Sequence, residues 1–483
     1  MHLSVILRVL GVLLIVFSLT HLPPIAVSYW YNDGEALAFV LALLITASLG
    51  ALCWWPVRRV HRELSIRDGF VIVTLFWSVL GTAGALPFYL SSDPAMSLTD
   101  AVFEAISGLT TTGATVIIGL DDLPRSILYY RQQLQWLGGL GVVVLAVAIL
   151  PMLGVGGMQL YRAEVSRMAK DNKLTPRIMD TARALWVIYV ILTVLCAVAY
   201  WLAGMTPFDA IGHAYSTVGT AGFSTYDDSI GHFNSVAIEI ICITFMLLGA
   251  INFALHFLIW RHLDLRMYWR EPEVRAFLGI FLGATLVISI GLAVTLTYDS
   301  FFTSLRYAAF QVVAVLTTTG FGTATFAEWP LFIPLLLASL SFIGGCAGST
   351  AGGIKVLRIV LLFKQGVREV YATIHPHGVF QVKLGDRAVP DEVAQAVWGF
   401  YTVYILTALV FTGGYMTMGL DLETAFGATI ASLNLLGPGL GEVASGFATQ
   451  SNAVKWMACF AMLLGRLEIF TLLILLTPAF WRH

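Results

Sequence analysis

Four short segments hold the residues best placed to do chemistry, and that chemistry belongs to bare backbone carbonyls. They read DAVFEAISGLTTTGAT from Asp100, DAIGHAYSTVGTAGFST from Asp209, YAAFQVVAVLTTTGFGT from Tyr307 and TAFGATIASLNLLGPGL from Thr424. Aligned on Gly113, Gly222, Gly320 and Gly437, at spacings of 109, 98 and 117 residues, they agree without gaps. Ala101, Ala210, Ala308 and Ala425 share one slot, and the small residues Ser107, Ser216, Ala314 and Ala431 stand six before each glycine. A half-length helix pattern opens each segment. About 12 residues at 1.5 Å each reach only about 18 Å, too short for a hydrocarbon core of about 30 Å. A loop that enters a bilayer without crossing it leaves carbonyls that must be buried in protein or line a wet path. Four such loops on one axis would make a ring of carbonyl dipoles able to replace the hydration shell of a monovalent cation. A glycine in each lets the chain pass close to its neighbours. Helices entering from one side would aim their negative C-terminal ends at the ring, which favours a cation over an anion. Asp100 and Asp209 sit where a helix N-cap belongs.

The elements that position these segments are apolar spans. Of 483 residues, 58% are hydrophobic and 12% charged, where a soluble domain carries about a quarter charged. The class is a polytopic membrane protein. Runs long enough to span lie near 5–27, 36–56, 69–90, 132–158, 183–204, 235–260, 274–297, 330–363, 392–418 and 453–481. The first has no clear cleavage site and reads as a retained helix rather than a signal peptide. Each repeat is therefore span, short helix, loop, span, and four in one chain close most naturally around a pseudo-fourfold axis, with two extra N-terminal spans. The expected division is 1–67 for the two-span element, 68–158, 159–262 and 263–364 for the first three repeats, and 365–483 for the fourth. The net charge of −2 hides an asymmetry: 20 of the 27 Lys and Arg fall in 57–68, 159–183, 261–275 and 355–391. By the positive-inside rule those segments and both termini are cytoplasmic. The opposite loops hold several acids, among them Asp33, Glu35, Asp227, Asp228 and Glu328, a rim that would modestly concentrate cations.

Two features lie beneath the four loops in the expected topology. Gly344, Gly345, Gly348, Ser349, Thr350, Gly352 and Gly353 crowd the middle of the run 330–363. So many glycines break a helix, or else form a close helix contact of the GxxxG kind. Arg466 lies far inside the last run, where a charge is costly and marks either function or a pair with a carboxylate on another helix. Its neighbour Glu468 cannot share its helix face. Glu104 and His213 occupy one repeat slot, with burial or a pore role open to them. Gln132, Gln135 and Trp136 read as anchors of an interfacial helix end, and Asn252 and His256 as pore-lining or cross-helix bonding groups. The five cysteines are scattered singly, without a metal or disulfide pattern.

TTTGAT at Thr110–Thr115, AGFST at Ala221–Thr225, TTTGFGT at Thr317–Thr323, LNLLGPGLG at Leu433–Gly441, FIGGCAGSTAGGIKVLRI from Phe342 and GRLEIFTL from Gly465 resemble the Trk-type potassium uptake proteins. The resemblance runs over essentially the whole chain. It is nearest the bacterial TrkH/TrkG branch of the Trk/Ktr/HKT superfamily and more distant from the KtrB and plant HKT branches. It implies an all-α fold of four M1-P-M2 repeats around a pore, usually as a homodimer. It places potassium among filter carbonyls matching Thr111, Thr112, Thr220, Ala221, Thr318, Thr319, Leu435 and Leu436. It makes 344–353 a gating loop and Arg466 an electrostatic barrier below the filter. It also implies a separate cytoplasmic TrkA-type subunit that binds NAD or ATP, with no cofactor on this chain beyond the transported K+. Members with Ser at the first glycine tend toward sodium, so Gly113 supports potassium. Each loop has one aligned glycine and no TVGYG, which predicts fewer ion sites and weaker K+/Na+ discrimination than in a tetrameric channel.

The resulting expectation is potassium uptake across a bacterial inner membrane. The alternative is sodium or mixed Na+/K+ uptake, including proton-coupled symport, on the same fold. An intramembrane enzyme is disfavoured, since HExxH, a nucleophile elbow, a P-loop and a pair of intramembrane aspartates are all missing from the sequence. The charge balance gives no basic field for nucleic acid, and the partners expected besides the protein subunits are membrane lipids.

Overall fold

The computed structural model describes residues 2–60, 65–144, 178–330, 332–385 and 387–482. The end of the run 132–158 and the basic residues Arg62, Arg162, Arg167, Lys170, Lys173 and Arg177 lie outside the described residues. The architecture is all-α and polytopic, apart from a hairpin of Lys383–Leu384 against Arg387–Ala388. Among the described residues, six helices are long and apolar enough to cross a membrane: Leu3–Tyr31, Ala36–Val57, Arg67–Leu90, Ala182–Leu202, Pro272–Val294 and Asp391–Thr417. The first two pack backbone to backbone, for a Cβ on Gly11 would come within 2.7 Å of Gly50 O. Without a hydrophobic drive between helices in lipid, such close approach of small residues supplies the packing.

Four half-length helices follow the sequence repeat: Leu98–Leu109, Pro207–Val218, Phe301–Leu316 and Leu422–Leu433. Every one stops four residues before its aligned glycine. Their N-caps are Ser97, Thr206, Ser300 and Asp421. This corrects the expectation for Asp100 and Asp209, which stand three residues inside. There each backbone N–H donates to the cap hydroxyl at 3.2 Å and each carboxylate accepts that hydroxyl's proton. The cap needs one side-chain acceptor for the N3 amide, and Ser or Thr three residues upstream supplies it.

Two runs expected as straight spans are bent. Val236–Gly249 and Phe253–His262 meet at 98°, and Asn452–Arg466 and Phe470–Leu476 at 113°. Backbone freed at the first bend is satisfied from 344–353: Cys346 N–H donates to Ala250 O at 2.8 Å, and Phe253 N–H donates to Gly348 O at 3.1 Å. Asn252 caps the second half through Ala254 N at 2.8 Å, and His256 bonds Tyr268 OH and Leu248 O. The second bend passes through Glu468 and Ile469 at φ 53° and 56°. A β-branched residue there is costly, and the Glu468 carboxylate is held by Arg358 at 2.6 Å. The run 330–363 is broken outright, between Ile333–Ile343 and Val356–Ile374.

Candidate functional site: a ring of four loops above a glycine-rich loop

Each short helix ends in the same cap. The residue two before the aligned glycine is left-handed in all four: Thr111 at φ 54°, Thr220 at 48°, Thr318 at 54° and Leu435 at 61°. The next N–H reaches back to the small residue noted in the sequence, as Thr112 to Ser107 O, Ala221 to Ser216 O, Thr319 to Ala314 O and Leu436 to Ala431 O, at 2.8 to 3.1 Å. This is the Schellman geometry, normally built on glycine. Holding Thr or Leu there costs of order 1–3 kcal/mol per site and needs a surrounding structure that over-determines it. All eight residues nominated as ion ligands, Thr111, Thr112, Thr220, Ala221, Thr318, Thr319, Leu435 and Leu436, are buried.

The glycines show how the loops meet. Gly113, Gly222, Gly320 and Gly437 have φ of 81°, 82°, 77° and 92°. A Cβ on Gly113 would strike Ala221 O, one on Gly222 Thr319 O, one on Gly320 Leu436 O, and one on Gly437 would lie 2.8 Å from Thr112 O. Each glycine faces the carbonyl that precedes the next repeat's glycine, and the fourth returns to the first. The ring closes in chain order. Above it opens a cavity of about 640 Å³ lined by the four glycines together with Asp227, Asp228 and Glu328. Not every acid of the expected rim is free: Asp227 accepts Leu120 N–H, and Glu35 accepts Ser92 and Asp93 N–H. Burial pushes the Asp33 carboxyl up, but hydrogen bonds from Ser28 and Ser126 outweigh it and hold the group below its ordinary value.

On the opposite side of the ring sits the loop 344–353. It is not a helix contact of the GxxxG kind. Gly344, Gly348 and Gly353 take φ of 72° to 73°, Ser349 Oγ closes a turn on Cys346 O at 2.6 Å, and Gly345 packs on Ala250 O. Gly352 N–H donates to Thr318 Oγ1 at 2.7 Å. Glu273 ties the loop to the helix Val356–Ile374 that follows it, by accepting from Ala347 N at 2.7 Å and Leu357 N at 3.1 Å. Thr350 Oγ1 bonds Val218 O at 3.1 Å, Gly249 O at 3.0 Å and Thr220 Oγ1 at 3.0 Å. Arg466 is buried and bonds Thr110 O through Nε at 2.7 Å and Thr350 O through Nη1 at 3.0 Å, while Nη2 reaches Thr110 O and Thr111 Oγ1. Arg466 from the fourth repeat and Thr350 from the third thus join the first and second repeats directly under the ring. A carboxylate pair is not what holds Arg466, and its neighbour Glu468 pairs with Arg358 instead.

Residues 36–482 match the TrkH family, whose description is cation transport protein. Over its full length the chain is 55% identical to the Trk system potassium uptake protein TrkH of Halomonas elongata and 52% identical to that of Salmonella typhimurium, covering 100% of each. Its fold matches the crystal structure of the potassium transporter TrkH from Vibrio parahaemolyticus with a TM-score of 0.93 at 51% identity, over 100% of both chains. The chain belongs to the TrkH family.

Two residues expected at an interface, Gln132 and Gln135, instead brace the loops of the ring in this TrkH-family chain, together with Arg131 beside them. All lie on Arg125–Val144. Arg131 forms a buried pair with Glu104 at 2.7 Å, bonds Ser224 O at 3.2 Å, and lies 4.1 Å from the Phe223 ring centre. Gln132 donates to Phe223 O at 3.2 Å, and Gln135 bonds the backbone on both sides of Gly222. Glu104 also accepts from Val116 N at 3.0 Å, and His213 in the same slot bonds Ser224 Oγ at 2.8 Å. Glu104 therefore holds loop backbone, and His213 a loop hydroxyl, from behind. Their polarity on an otherwise apolar short helix was the available signal. Glu104→Ala would leave Arg131 without its buried carboxylate and should lower stability by about 3 kcal/mol, read as a fall in the thermal midpoint of the purified protein.

Proposed function

We propose that this chain is the membrane subunit of a potassium uptake system. The carbonyls of Thr111, Thr112, Thr220, Ala221, Thr318, Thr319, Leu435 and Leu436 would replace the water around K+, the loop 344–353 gates the path, and Arg466 is the charged barrier below the filter. The observation that carries this reading is the closed cycle of glycine-to-carbonyl contacts among four repeats. A polar ring inside an apolar helix bundle has a use only where something polar passes or binds. Support for potassium comes from the names of the relatives and from glycine, not serine, at position 113.

The vestibule side faces outward and the basic segments and termini face the cytoplasm of a bacterial inner membrane, by the charge asymmetry. The chain works as a homodimer with a cytoplasmic TrkA-type subunit that carries NAD or ATP. Expression in a bacterium lacking potassium uptake should restore growth at low K+, fully when the partner subunit is present, with rubidium uptake resisting competition by Na+. Failure to rescue with and without the partner, while the protein sits in the membrane, overturns the reading.

A further inference from the structure

The ring repeats its backbone four times, yet its hydrogen bonding is not fourfold. Three of the second helices approach the pore through an equivalent glycine. A Cβ on Gly138 would strike Leu109 O, one on Gly465 would strike Leu433 O, and one on Gly249 would lie 2.9 Å from Val218 O, each the last residue of its short helix. Three residues before these glycines stand Gln135, Met246 and Met462, all buried. In the third repeat the helix has ended by Ile343, and the glycine loop begins at this level.

Only Gln135 of the three can make a strong hydrogen bond. Its Nε2 donates to Ala221 O at 2.7 Å and its Oε1 accepts from Phe223 N at 3.0 Å. The amide orientation is fixed, because a carbonyl can only accept and a peptide N–H can only donate. Ala221 O is the oxygen that packs against Gly113 in the ring. Its counterparts at Thr112, Thr319 and Leu436 have no side-chain donor among the described residues.

We propose that Gln135 is a specificity-determining positioning residue, which weakens one carbonyl of the ring and so favours K+ over Na+. The inference rests on the proposed function above. A carbonyl oxygen has two lone pairs, and the amide occupies one, so the field that Ala221 O offers a passing ion is reduced. Na+ holds its water more tightly than K+ and needs a stronger ring to release it. Three full carbonyls and one shared carbonyl therefore suit the larger ion. The same clamp fixes the second loop on both sides of Gly222.

Gln135→Met places in the first repeat the residue that the second and fourth already carry. It should lower the K+ over Na+ uptake ratio by about five-fold, the size expected for one net hydrogen bond. Gln132→Met is the comparison. Its amide holds the same loop through Phe223 O without touching Ala221 O, so it should reduce total flux and leave the ratio unchanged. If Gln135→Met does not reach the membrane, Gln135→Leu, which likewise has no donor for Ala221 O, should shift the ratio in the same direction. An unchanged ratio in the Gln135 variant, or an equal shift in both glutamine variants, overturns the inference. A wild-type protein that moves no K+ overturns the proposed function itself, and that result is separate from a wild type that transports normally beside a Gln135 variant with its ratio intact.

Discussion

Arg466→Ala is expected to raise K+ flux about ten-fold at equal protein in the membrane, since removing a nearby positive charge lowers the barrier to a cation by at least about 1.4 kcal/mol. The guanidinium has two effects that act in the same direction. In the proposed path its charge would repel a cation leaving the ring, and its bonds to Thr110 O, Thr111 Oγ1 and Thr350 O tie the loop 344–353 to the foot of the first loop of the ring. Alanine removes both, while the neighbouring Arg358–Glu468 pair keeps the bend at 467–469 in place. Initial rates of rubidium uptake, normalised to membrane protein, give the measurement. A flux equal to wild type would remove Arg466 from the barrier.

Gly320→Ala is the opposite case. The backbone at Gly320 has φ 77°, and a Cβ there would strike Leu436 O and lie 2.7 Å from Pro438 Cδ, both on the next loop. An L-residue in this conformation is strained by about 1–2 kcal/mol before any contact is counted. The only relief is to push Leu436 O out of the ring. Potassium uptake should fall about 100-fold with normal membrane abundance, given that about 3 kcal/mol is enough for such a loss. Gly437→Ala should be milder, because its nearest neighbour, Thr112 O, is 2.8 Å from the added atom. Equal uptake by wild type and Gly320→Ala would show that these contacts are not part of the conduction path.

The repeat, the spans and the glycine-rich break could be read from the sequence because each leaves a signal in residue type: an aligned glycine, an apolar run, a cluster of glycines. Bends at 250–252 and 467–469 left almost none. Hydropathy reports what faces lipid and is silent on the direction of the backbone, so two apolar halves meeting near a right angle look like one span. Asn252, an N-cap inside an apolar run, was the single clue to the first bend. At the second, Glu468 and Ile469 adopt positive φ without being glycine, which only tertiary packing can impose. Gln132 and Gln135 were misread for a related reason. Glutamine near a helix start suits a membrane interface equally well, and its true role depends on a loop 86 to 91 residues away in sequence. Asp100 and Asp209 lie three residues inside because the Ser97 and Thr206 hydroxyls, at the head of SLTD and TPFD, are the caps.

Closure of the ring within one polypeptide gives this protein an experimental freedom that a homotetramer lacks. In an assembly of identical subunits every substitution at the filter arrives in four copies, so the smallest perturbation is already a large one. Here each quadrant has its own codons. A carbonyl neighbour can be altered in one quadrant, in two adjacent ones or in two opposite ones, and the dose dependence of ion preference can be followed step by step with ordinary point mutants.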